Sequence, residues 1–138
     1  MRPSKFKLYE LVPQELYETV HPEVLWNMLD DRLLQSIDTI KSKFPLGSMS
    51  INTYKWGGNR NQSGLRTKHS KYYSKNSQHS IGKAIDCVFT AYSVDSIRNY
   101  ILGHPTLFPY IGGIELNVDW LHIDVRRRRG NKIKTFKG

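Results

Sequence analysis

The sequence predicts a single α+β domain, with helices in its first third and a small, mostly antiparallel sheet after them. Three observations point there. Apolar residues recur at three- and four-residue steps as far as Phe44, and short alternating runs bounded by turn residues take over after residue 48. The 138 residues, 38% hydrophobic and 24% charged, suffice for one globular core and leave little room for a second.

The elements follow in order. Pro13 opens a short helix over 14–20, and Pro22 stands in the first turn of a longer one, where its missing N–H costs nothing. Leu25, Met28, Leu29, Leu33, Ile37, Ile40 and Phe44 make one buried stripe along that helix, which Pro45 and Gly47 end. Residues 49–54 alternate as a strand. Residues 55–78 are rich in Gly, Asn, Ser and Lys without apolar period, and a loop of that length in a small domain is usually functional. Residues 83–89 read as a second strand. Ser93 reads as the N-cap of a helix over 94–102 that Gly103 stops. Residues 113–118 and 120–125 read as two strands joined by a tight turn. The one domain, 1–138, thus divides into a helical scaffold (about 1–47), a sheet-bearing core (about 48–126) and a basic tail (127–138).

Charge is unevenly spread. The formal net charge is +9, and no Asp or Glu occurs between Asp38 and Asp86, where Lys41, Lys43, Lys55, Arg60, Arg66, Lys68, Lys71, Lys75 and Lys83 all fall. Arg126 to Arg129 with Lys132, Lys134 and Lys137 form a second block. Such a field attracts a polyanion, nucleic acid or an anionic bacterial wall, and composition does not choose between them. The single cysteine, Cys87, excludes an internal disulfide and a multi-cysteine zinc knuckle. No stretch approaches the ~20 apolar residues of a membrane span. The N-terminus carries charge without an apolar h-region, so the expectation is a chain made in the cytoplasm without a signal peptide.

Two segments carry chemistry: Ser77-Gln-His79-Ser-Ile-Gly82-Lys-Ala84-Ile-Asp86 and Asp119-Trp-Leu-His122-Ile-Asp124-Val. Strand alternation puts Asp86 on one face with Ala84 and Val88, and His122 on one face with Trp120 and Asp124. A charge in mid-strand between buried neighbours costs free energy unless it is paired or bound to metal. Gly82 lets the loop carrying His79 fold back onto the strand carrying Asp86. Each residue alone has a plainer reading, His122 as a hydrogen-bonded core residue and Asp86 as a salt-bridged carboxylate. Together His79, Asp86 and His122 form a set that suits one catalytic Zn2+ per chain, with a fourth position left for water. Asp124 either orients a ligand imidazole or pairs with an arginine of the 126–129 run. His21, His69 and His104 lack partners at ligand spacing and read as surface residues.

The pattern S-x-H-x-x-G-x-A-x-D, met in full by Ser77, His79, Gly82, Ala84 and Asp86, resembles the LAS zinc metallopeptidases. These include D-alanyl-D-alanine carboxypeptidases and dipeptidases of the VanY and VanX type, and phage L-alanoyl-D-glutamate endolysins. The resemblance covers roughly residues 49–126. It implies a hedgehog/DD-peptidase-like fold and hydrolysis of peptidoglycan stem peptides. His122 matches the third zinc ligand, and Asp119, three residues before it, matches the catalytic acid, which is Glu in many relatives. Glu115 is the competing candidate for that role. Ser63-Gly64-Leu65-Arg66 is similar to the family's S-G-Y-R segment, so Arg66 is expected to bind a substrate carboxylate or the oxyanion, with Arg60 as its possible substitute. Ser77 is expected either to orient substrate or to cap the His79 loop. His122-Ile-Asp124-Val-Arg126 and Trp56-Gly57-Gly58 resemble phage-borne members. An enzyme of this kind acts on the wall after lysis, through a holin-type hole, or from a phage particle.

Two further function classes compete. Tyr54, Trp56, Tyr72 and Tyr73 in the basic loop suit base stacking, as in a nucleic-acid-binding protein or metal-dependent nuclease. A wall-binding zinc module without chemistry is the other.

Overall fold

The computed structural model describes residues 5–68, 70, 74 and 77–137. It is an α+β domain with a five-stranded sheet. Helices α1 (Gln14–Thr19), α2 (Pro22–Asn27) and α3 (Asp31–Lys43) precede strand β1 (Met49–Ser50). Strand β2 (Ala84–Phe89), helix α4 (Val94–Gly103), and strands β3 (Gly113–Leu116), β4 (Leu121–Asp124) and β5 (Lys134–Lys137) complete it. The strands lie in the order β1-β2-β4-β3-β5, and all pairings are antiparallel except β3 with β5. No helix among the described residues is long and apolar enough to cross a membrane.

The long helix expected from Pro22 to Phe44 is two helices. The apolar stripe does continue, with Leu25, Leu29, Leu33, Leu34, Ile37 and Ile40 all buried. The backbone breaks between them because Asp30 caps α3: its carboxylate accepts the Arg32 backbone N–H (2.9 Å) and the Arg32 guanidinium (2.7 and 2.9 Å). Met28 consequently turns to solvent, 43% exposed. The freed Asp30 N–H bonds the Gly82 carbonyl (2.9 Å), which ties the break to the second half of the chain.

The other corrections concern strands. The alternating run 49–54 contributes only β1, because the buried Asn52 uses its amide elsewhere. It donates to the Val12 carbonyl and accepts the Ser63 N–H, both at 2.9 Å. Tyr54–Trp56 then forms a short 3-10 turn. The strands expected over 113–118 and 120–125 are shorter, since Asn117 takes a left-handed φ of 62° at the turn. The basic tail is not a tail: β5 runs parallel to β3, Gly113 beside Lys134 and Glu115 beside Phe136.

One face of the sheet builds the core. Ile85, Cys87, Leu121 and Ile123 are fully buried in one cluster with the α2 and α3 stripe, Ile97 and Ile101 of α4, and Ile114. Each such side chain contributes about 1.5–3 kcal/mol through burial. The opposite face carries the ionisable residues.

Candidate metal centre

The antiparallel register of β2 and β4 sets Asp86 directly opposite His122 and Ala84 opposite Asp124. Opposed residues share a face, so Asp86, His122 and Asp124 all point away from the core. His79 reaches this face from a 3-10 turn, Gln78–Ile81, that leads into β2. The Ser77 hydroxyl caps that turn by accepting the His79 backbone N–H (3.2 Å). Gly82 closes it with φ 72°, and a Cβ there would run into the Met28 carbonyl oxygen. Glycine is therefore what lets the turn seat against the break between α2 and α3.

Asp86 Oδ1 is the focus of the site. It lies 3.2 Å from His79 Nε2 and 2.9 Å from His122 Nδ1. One ligand atom from each of the three buried residues lies within 4.8 Å of the others, and no other such group occurs among the described residues. The outer nitrogens are already committed. His79 Nδ1 lies 3.0 Å from the Gly64 carbonyl oxygen, which only accepts, so this nitrogen carries the ring proton. His122 Nε2 lies 2.9 Å from Asp124 Oδ2. With a proton held on each outer nitrogen, the inner ones present lone pairs beside a carboxylate oxygen, a donor set for a cation. The two separations from Asp86 Oδ1, 3.2 and 2.9 Å, are short enough for ligand atoms sharing one small cation.

A proton can take the cation's place. Burial alone would lower the His122 pKa, but hydrogen bonds to Asp124 and Asp86 outweigh it and raise the pKa to about 9. Burial would raise the Asp86 pKa, and the His122 and His79 hydrogen bonds reverse this and hold it well below the usual carboxylate range. Asp124 follows the same logic: burial opposes, while His122 and Arg126 bring it down to about 2. Asp124 meets His122 on one side and the Arg126 guanidinium (2.6 and 2.7 Å) on the other, so the salt bridge expected with the arginine run coexists with a hydrogen bond to the imidazole.

Beside Asp86 opens a cavity of about 320 Å³, lined by Asn59, Arg60, Asn61, Gln62, Ser63, Arg66 and Trp120. Arg66 donates to Asp86 Oδ2 (3.2 Å) and to the Gln62 carbonyl (2.9 Å), and Arg60 borders the same space. Leu65, which stands where the resembled segment has Tyr, is buried in the core. Asp119 is exposed in the β3–β4 connection and does not line the cavity. Neither Ser77 nor Glu115 lines it. His21 caps α2 by accepting the Glu23 N–H, and His104 stacks on Tyr100, both exposed. His69, Lys71, Tyr72, Tyr73 and Lys75 lie outside the described residues. Burial pushes the Cys87 thiol well up, which makes it an inert core residue.

Four contributors escaped the sequence reading. The Gly64 carbonyl fixes His79. Asn52 anchors the segment bearing Gly64 through the Ser63 N–H. Phe136 of β5 packs edge-on against His122, ring centroids 5.5 Å apart. Arg98 of α4, buried, donates to the carbonyls of Val118 (3.0 Å) and Trp120 (3.1 Å), clamping the backbone on both sides of Asp119. Only the last carried a signal, since Arg98 interrupts the apolar face of Ile97 and Ile101.

No family model, curated protein or solved structure matches the chain.

Proposed function

We propose that the chain is a zinc-dependent peptidase that hydrolyses peptidoglycan stem peptides, as a D-alanyl-D-alanine carboxypeptidase or an L-alanoyl-D-glutamate endopeptidase of the phage endolysin kind. The observation that carries it is the convergence of His79, Asp86 and His122, with their outer nitrogens held by Gly64 and Asp124, at the edge of a cavity bearing two arginines. The motifs around these residues supply the substrate class.

When bound by those three residues, Zn2+ supplies Lewis acidity toward a carbonyl oxygen and a water molecule. Asp119 takes the proton released by the attacking water and passes it to the leaving amine. Arg98 holds the backbone on either side of that carboxylate. Arg66 steadies the oxyanion or a nearby substrate carboxylate, and Arg60 offers a second cation in the same cavity. Stem peptides present such carboxylates at their ends and on their glutamate. Ser77 contributes by holding the His79 turn. An enzyme of this reading, made in the cytoplasm, meets the wall after lysis, by holin passage, or from a phage particle.

The nucleic-acid reading draws less support. Of the loop's described aromatics, Tyr54 commits its phenol O–H to the Val12 carbonyl (3.2 Å) and Trp56 alone is exposed.

Mass spectrometry of muropeptides after digestion tests the proposal. Zinc-loaded protein should split one stem-peptide bond, carry about one zinc per chain, and lose both metal and activity to a chelator. Intact muropeptides, or full activity in metal-free protein, would overturn it.

A further inference from the structure

The C-terminal segment folds into a second site. After Asp124 the arginine run divides by alternation. Arg126 and Arg128 turn inward, the first onto Asp124 and the second onto the carbonyls of Ile111 (2.7 Å), Phe108 (2.6 Å) and Pro105 (3.2 Å). Arg127 and Arg129 are exposed, as are Lys132 and Lys134. Gly130, with φ 66°, turns the chain so that Arg129 and Lys132 face each other across an isolated antiparallel bridge. These residues, with Arg126, Ile133 and Thr135, line a groove of about 520 Å³ that holds no acidic side chain.

Like charges set directly opposite across a bridge repel, and none of the four exposed cations has an ion-pair partner among the described residues. A bound anion relieves that repulsion. Two arginines offer planar forks that match the paired oxygens of an oxyanion such as phosphate. No aromatic side chain lines the groove, so it offers no platform for bases. Phe136 lies instead beneath Arg126, whose guanidinium carbon is 4.6 Å from the ring centre, and beside His122. The groove therefore borders the candidate metal centre on the same side of the sheet.

We propose that this groove binds a base-free phosphodiester polymer of the bacterial wall, a polyol phosphate chain, and so holds the protein against the substrate that the neighbouring centre cuts. The choice of a wall phosphodiester rests on the peptidase reading, whereas the preference for a base-free polyanion rests on the groove alone.

Binding of a labelled glycerol phosphate oligomer to the full chain tests this by fluorescence anisotropy. Oligothymidylate and polyglutamate of equal charge number serve as competitors. The glycerol phosphate oligomer should bind best and weaken as salt rises. Combined Arg127→Ala, Arg129→Ala, Lys132→Ala and Lys134→Ala replacement should lower affinity about tenfold or more, with zinc content and melting temperature unchanged. Arg127→Lys with Arg129→Lys keeps the charge but removes the planar forks and should still weaken binding of the glycerol phosphate oligomer; this milder pair also serves if the fourfold variant does not fold. Tighter binding of oligothymidylate would assign the groove to nucleic acid and overturn the proposal. Equal binding of polyglutamate, or unchanged affinity in the variants, would overturn it too. Cleavage of a short soluble stem peptide by the same proteins should stay at the wild-type rate. If the wild type cleaves none, the peptidase reading fails while the binding result still stands.

Discussion

The two halves of the candidate centre hold their imidazoles by opposite means. On the turn side, His79 gives its outer N–H to the neutral Gly64 carbonyl, and Ser77 and Gly82 fix the turn itself. On the strand side, the outer nitrogen of His122 meets the Asp124 carboxylate, which Arg126 grips in turn. A neutral acceptor orients a ring and adds no charge. A carboxylate orients it and also makes the ring more basic, hence a stronger ligand. The turn half thus supplies shape, while the strand half supplies shape and field, and it also carries Asp119.

The largest effect should come from separating chemistry from metal on the strand side. Asp119→Asn keeps size and much hydrogen bonding but cannot accept a proton. Turnover on muropeptides should fall by ~10²–10⁴-fold with zinc content intact. His122→Ala, in contrast, should lose zinc and activity together. An Asp119→Asn protein that cleaves near the wild-type rate would move the base elsewhere, with Glu115 the next residue to replace.

A smaller effect isolates the field. Asp124→Asn can still accept the His122 N–H, so the ring keeps its place, but the charge is gone. Zinc affinity, measured by chelator competition, should drop about 10–100-fold. Unchanged affinity would mean that the two imidazoles are held equivalently after all.

The smallest effect belongs to the turn. Ser77→Ala removes the cap from the His79 turn and should cost about 1 kcal/mol in denaturant unfolding. Turnover at saturating zinc should hold, because Ser77 does not line the cavity. A large fall in turnover with unchanged stability would make Ser77 a substrate contact instead.

Legibility in the sequence followed range. Local signals worked: the Ser93 cap of α4, the stops at Pro45 and Gly47, and the alternation that set Asp86 apart from Ile85 and Cys87, and His122 with Asp124 apart from Leu121 and Ile123, all reappear in the fold. The helix break was misread because the apolar stripe crosses it without interruption, although Asp30 and Asp31 announce a new N-terminus within it. β5 was misread because three charged residues in seven, Lys132, Lys134 and Lys137, looked like a solvated tail; all three are exposed, beside a parallel pairing that no local pattern foretells. The Gly64 carbonyl was invisible for a deeper reason. A backbone acceptor has no residue type, and its part in the site exists only once segments fifteen residues apart are folded together.

The stitching of the chain's beginning to its middle sets a limit on how the site can be moved. Leu65 N–H bonds the Leu11 carbonyl (2.9 Å), Asn52 N–H bonds the Glu10 carbonyl (2.9 Å), and Gln14 N–H bonds Asn61 Oδ1 (2.7 Å). A Cβ on Gly64 would meet the Leu11 carbonyl, so these backbones lie in direct apposition. The stretch that bears the motif is therefore no portable cassette. Excised at residue 48 and grafted onto another scaffold, it would bring both imidazoles and the carboxylate but leave behind the strap that holds Gly64 against His79. The recognisable residues would travel, and the geometry that makes them a ligand set would stay with the unremarkable first fifteen.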